Sequence, residues 1–71
     1  MADRKYAASI NLGLAVLNAR KKYGTFELRL SASMKYADIL HNGKFFTHGT
    51  TEQMAHTVDG MTRMFYIMEG K

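Results

Sequence analysis

Three histidines, His41, His48 and His56, are the only side chains of this chain that titrate near neutral pH, so any acid–base chemistry must start from them. No HExxH or other metal-ligand spacing links them, and the absence of cysteine removes every thiolate zinc site. The glycines form neither GxGxxG nor GxxxxGK[ST], and Asn42-Gly43-Lys44 reads as a turn rather than a phosphate cradle. Ser9, Ser31 and Ser33 lack the GxSxG setting of a nucleophile elbow. Asp38 is a single carboxylate within a strand-like segment and is expected to pair with a cross-strand lysine or to face water. The sequence therefore predicts no catalytic residue, no metal and no cofactor, and directs attention to binding.

Binding chemistry is better represented. Ten Lys and Arg against six Asp and Glu leave a formal charge of +4, which favours an acidic partner. Arg20, Lys21 and Lys22 form a run near the end of the first helix, where cations also suit the negative end of the helix macrodipole. Phe45 and Phe46 are adjacent in a strand and point to opposite faces, so one of them is exposed or is covered by another subunit; Tyr36 raises the same question on the neighbouring strand. A methionine-rich stripe in the last helix is first a core stripe, with Met64, Tyr66 and Met68 on its flanks as contact residues. The candidate partner-binding set is Arg20, Lys21, Lys22, Tyr36, Lys44, Phe46, Arg63 and Tyr66. A protein partner is the expectation, and nucleic acid bound through a basic patch is the alternative.

These residues need elements to hold them. Tyr6, Ile10, Leu14 and Leu17 recur at helical spacing and predict a helix from Asp3, as N-cap, to Tyr23, closed by Gly24. A second stripe, Leu12, Val16, Ala19 and Tyr23, leaves that helix a narrow polar face of Asn11, Asn18 and Lys22, as in helices buried on more than one side. From Thr25 the period becomes two, with Phe26, Leu28, Leu30 and Ala32 on one face. Residues 35–41 and 44–48 flank Asn42-Gly43, the pair that supplies both positive φ angles of a type I′ hairpin turn. A second helix begins near Thr51, with Thr50 and Gln53 at capping-box spacing and Met54, Val58, Met61, Phe65 and Met68 as its stripe. Gly60 interrupts it and marks either close packing or a weak point.

The order helix, strand, strand, strand, helix predicts one α+β domain over residues 1–71, a three-stranded antiparallel sheet with both helices packed on one face. That order, and the run Asn42-Gly43-Lys44-Phe45-Phe46-Thr47-His48-Gly49 leading into a helix, is similar to a double-stranded-RNA-binding domain. The resemblance implies phosphate-binding lysines on the first turn of the last helix. Here that turn reads Thr50-Thr51-Glu52-Gln53-Met54-Ala55-His56, with a glutamate and no lysine. In general character the whole chain also resembles the small proteins that phages encode to disable host machinery, anti-CRISPR and other anti-defence proteins among them. That resemblance implies an inhibitor that occludes a host protein in the host cytoplasm.

No stretch approaches the roughly 18 apolar residues that span a bilayer, and no signal peptide is readable, so the expectation is a soluble cytoplasmic protein that does not enter a membrane. A chain this short buries only about 60% of its unfolded surface. Without disulfides, self-association is the remaining source of stability, and a homodimer, or a heteromeric complex, through the first helix is expected.

Overall fold

The computed structural model describes residues 2–70. The chain runs α1 (Ala2–Asn18), a single 3-10 turn (Lys21–Tyr23), β1 (Phe26–Leu30), β2 (Tyr36–His41), β3 (Lys44–Thr50) and α2 (Thr51–Glu69). The strands form one antiparallel sheet in the order β1-β2-β3, so the α-β-β-β-α arrangement read from the sequence is the fold. Phe26 on β1 and Ala37 and Ile39 on β2 share one sheet face. They join Ile10, Leu14 and Leu17 of α1 and Met54, Ala55 and Val58 of α2 in a single core. Both helices therefore cover that face and leave the other open. Burial of Ile10, Leu17, Ile39 and Val58 contributes about 1.5–3 kcal/mol each.

The helices run in the same direction. Tyr6 lies beside His56, Gly13 against Val58, and Arg20 against Glu69. Gly13 permits that approach, since a Cβ there would stand 2.4 Å from Val58 Cγ1. By contrast, nothing surrounds the Cβ position of Gly60 within 4 Å, which makes it the weak point and not a packing contact.

α1 departs from expectation at both ends. It already includes Ala2, so Asp3 lies in the first turn and is not the N-cap. It stops at Asn18, five residues before Tyr23, because Asn18 turns its amide onto β1. The Asn18 Nδ2 donates to the Phe26 carbonyl at 2.9 Å, and its Oδ1 accepts from the Phe26 N–H at 2.7 Å. These two bonds occupy the backbone groups that the edge strand would otherwise offer to a neighbour. Tyr23 consequently leaves the outer stripe of α1 and stacks on Phe65, with ring centroids 4.3 Å apart.

The hairpin turn is as read: Asn42 and Gly43 have φ of 56° and 82°, and His41 faces Lys44. Beyond it the register slips, since Leu40 faces Phe45 but Ile39 faces Thr47. Phe46 is the extra residue of this β-bulge. β1 ends at Leu30, and Ala32 lies in the following loop, where the Met34 N–H bonds the Ser31 carbonyl at 2.9 Å. α2 starts on a complete capping box: Thr50 Oγ1 accepts from the Gln53 N–H, and Gln53 Oε1 accepts from the Thr50 N–H. The buried Thr51 donates its hydroxyl to the Met34 carbonyl at 2.6 Å, which ties the helix to the β1–β2 loop.

Candidate partner-binding surfaces

Five of the eight candidate residues meet at one pole. The 3-10 turn carrying Lys21 and Lys22 is bound to the hairpin that carries Lys44. Asn42 accepts from the Thr25 N–H through Oδ1 at 3.0 Å and donates its own N–H to the Thr25 carbonyl at 2.7 Å. His41 Nε2 lies 2.7 Å from the Tyr23 carbonyl, so the imidazole donates there. Gly24 is required at this junction. Its φ of 89° disfavours any side chain, and a Cβ would stand 2.6 Å from Asn42 Oδ1. Phe46 sits edge-on to Phe26, with centroids 6.1 Å apart, and is half exposed; Phe45 is 69% exposed on the open face of the sheet.

α1 ends at Asn18, so Lys21 and Lys22 lie beyond its last turn, but Arg20 reaches back to it: Nη1 donates to the Val16 carbonyl at 3.0 Å, as a cation at a helix C-terminus does. Arg20 also bonds Glu69 through Nε at 2.5 Å. That hydrogen bond, against partial desolvation, holds the Glu69 carboxyl below its usual value and raises the Arg20 guanidinium. Desolvation, then the neighbouring Glu69 carboxylate, raises the Tyr23 phenol. Lys21, Lys22 and Lys44 are exposed and, among the described residues, meet no carboxylate at ion-pair distance.

Arg63 and Tyr66 stand elsewhere, on the helix layer. With Leu12, Gly13, Val16 and Thr62 they line an open groove of about 420 Å³ between α1 and α2. Leu12 is 71% exposed and Tyr66 70%. Met54 and Val58 are buried, and Met61 and Phe65 partly so; Met68, which the sequence placed both at the end of the stripe and among its flanking contact residues, is exposed together with Met64 and Ile67. Met64 to Met68 is an uninterrupted apolar run, of which Phe65 packs against the core and the other four side chains are exposed.

Tyr36 lies at the opposite end of the sheet, on the open face. Its ring is parallel to that of His48, 6.2 Å away. His48 Nδ1 bonds the carboxylate of Asp38, so Asp38 pairs with a cross-strand histidine and not a lysine. Asp38 orients the ring, but both side chains are about half exposed and gain nothing from a low dielectric. The nearby Ser31 hydroxyl accepts from the Tyr36 N–H at 3.1 Å, and no described serine bonds His48. Ser31, Asp38 and His48 line one small pocket, where the Ser31 hydroxyl is engaged by the Tyr36 N–H and Ser33 rather than by His48. Among the described residues no three His, Asp or Glu side chains converge as a metal site, and no helix is long and apolar enough to cross a membrane.

The structure brings the cations and Phe46 of the sequence candidates to one end of the molecule, and the strut that joins the hairpin to the 3-10 turn is Asn42, which was not among those candidates. Its signal, an Asn at the first turn position, was fully accounted for by its φ. Compared with known proteins, the chain matches no family model, no curated protein and no solved structure.

Proposed function

We propose that the protein is a non-enzymatic binding module that seats an acidic patch of a partner protein on its hairpin pole and occludes it. The observation that carries this reading is the pole itself, where exposed Lys21, Lys22 and Lys44 share one end of the molecule with the half-exposed ring of Phe46, and Phe45 is exposed on the opposite face of the same strand. Aromatic anchors desolvate on contact while the surrounding cations select an acidic surface and steer its approach. Of the nearby carboxylates, Glu69 is already engaged by Arg20, and Glu27 lies one residue inside β1 on the open face. Occlusion of a host protein is the role implied by the likeness to phage-encoded anti-defence proteins. A homodimer would carry two such poles and gain avidity for an extended partner surface.

Nucleic acid is the second reading, favoured by the same three cations. The double-stranded-RNA mode is not the form it takes. The first turn of α2 lies beside the β1–β2 loop, at the far end of β2 from the hairpin, about 17–20 Å away. A pole with three lysines gives a salt slope near −3 at most.

The test compares the protein with a Lys21→Glu/Lys22→Glu/Lys44→Glu variant as bait in a nuclease-treated host lysate. The expected result is a stoichiometric acidic protein captured by the first and lost with the second, both baits giving the same circular dichroism. Capture that persists in the variant overturns the reading. Capture abolished by nuclease transfers the function to nucleic acid.

A further inference from the structure

We propose that the helix layer is covered by a second copy of this chain, the two copies related by a two-fold axis through the groove between α1 and α2. From Tyr6 through Ala19 the chain carries no charged residue. Only one side of that helix is in the core, and Ala8, Leu12, Ala15, Val16 and Ala19 are all exposed. An uncharged, exposed helix face of this length is the composition of an interface core and not of a solvated surface. Small residues alternating with Leu12 and Val16 let another helix approach closely and leave recesses for its large side chains.

Charge identifies the occupant. The charges lining the groove are Asp59 and Arg63, bonded to each other at 3.0 Å, so the groove is neutral although the chain carries +4. An external partner with charges of its own would find no counter-charge here. A second copy is self-complementary: an axis passing between Asp59 and Arg63 sets each beside the opposite charge of its mate, as an isologous contact requires. Because α1 and α2 run in the same direction, that axis makes the helices antiparallel across the interface, the arrangement that macrodipoles favour.

The area is sufficient. A stable interface needs about 800 Å² from each partner. Leu12, Val16, Tyr66 and Ile67 are 71%, 41%, 70% and 68% exposed. An aromatic side chain offers roughly 150–250 Å² and the aliphatic ones less, so these four supply about 400 Å², most of it apolar. The exposed alanines, Ser9 and Arg63 beside them supply the remainder.

Sedimentation equilibrium on the intact protein tests the proposal. The mass should be twice the 8.1 kDa of the chain at micromolar concentration. Leu12→Lys and Tyr66→Glu should each weaken association by about 100-fold, as hot-spot changes do. Both side chains are about 70% exposed, so the circular dichroism and the monomer's melting cooperativity should be retained. Asp59→Arg and Arg63→Asp should each weaken association, and the double swap should restore it. A monomeric wild-type protein overturns the proposal. So does a dimer unaffected by Leu12→Lys, which would have to form through another face. The triple lysine variant of the pole should dimerise like wild type, which separates failure of this proposal from failure of the functional reading.

Discussion

Two glycines on helices predict opposite responses to the same substitution. Gly13 in α1 and Gly60 in α2 each sit in a helix interior, where alanine is favoured by about 1 kcal/mol, partly through the narrower unfolded ensemble. At Gly60 the new Cβ meets nothing within 4 Å, so Gly60→Ala should gain that full amount. At Gly13 the new Cβ stands 2.4 Å from Val58 Cγ1, while ordinary carbon contact is about 3.5–4.0 Å. Val58 is 1% exposed and cannot swing away, so the helices must part by about 1 Å. Overpacking of that kind costs about 1–3 kcal/mol, which outweighs the helical gain. The net expectation for Gly13→Ala is a loss of about 1 kcal/mol. For a chain of this length the unfolding entropy makes 1 kcal/mol equal to about 7 °C in Tm. Thermal and urea melts followed by circular dichroism, at one protomer concentration, measure both variants. If Gly13→Ala raises Tm as Gly60→Ala does, the helix–helix approach described here is wrong.

Asn18→Ala removes both bonds to the Phe26 backbone and leaves two part-buried groups without partners. It should lower stability by about 2 kcal/mol and speed amide exchange at Phe26 selectively; unchanged Phe26 protection would refute the edge-capping role. Glu69 has a depressed pKa, so its pairing with Arg20 stabilises the fold above the ordinary carboxylate value and is lost as pH falls through the lower folded value. Wild type should therefore lose Tm between about pH 5 and pH 3 more steeply than Glu69→Gln, and melts across that range with parallel slopes would count against the pair.

The elements whose signals are local were legible in the sequence. Asn42-Gly43 needs positive φ at both residues, and Thr50 with Gln53 satisfies the orphan N–H groups of a helix start; each pattern carries its own reason. What was not legible depends on groups distant in the chain. Nothing around Asn18 marks it as a helix end, because the groups that capture it belong to Phe26. The hairpin register is the sharper case. Counting back from the two-residue turn pairs Asp38 with Thr47, and only the bulge at Phe46 brings His48 opposite Asp38. The candidate site was half legible for the same reason. The cations could be counted, but whether they gather at one pole was decided by Asn42 reaching Thr25. The excess apolar face of α1 was visible as a second stripe, whereas its neutralised partner charges, Asp59 and Arg63, needed the packing of α2 to place them at the same groove.

The two surfaces constrain each other. Each chain carries Lys21, Lys22 and Lys44 at the end of the molecule where α1 finishes, so two copies packed with helices parallel would set six cations side by side. The antiparallel two-fold places the two poles on opposite sides of the axis, so the six cations are not set side by side, and salt at physiological strength, with a Debye length of about 8 Å, screens the repulsion that remains. The groove that joins the copies is neutral and largely apolar. Association of the copies, which rests mainly on apolar burial with the Asp59 and Arg63 pairs beside the axis, should weaken only slightly with salt from about 50 to 500 mM, while partner binding at the poles, which rests on exposed lysines, should weaken steeply over the same range. Sedimentation equilibrium and partner titration in matched buffers measure the two slopes. A dimer that dissociates as salt rises would mean that ion pairs hold the copies together, and the charge-free face of α1 would then be left without an occupant.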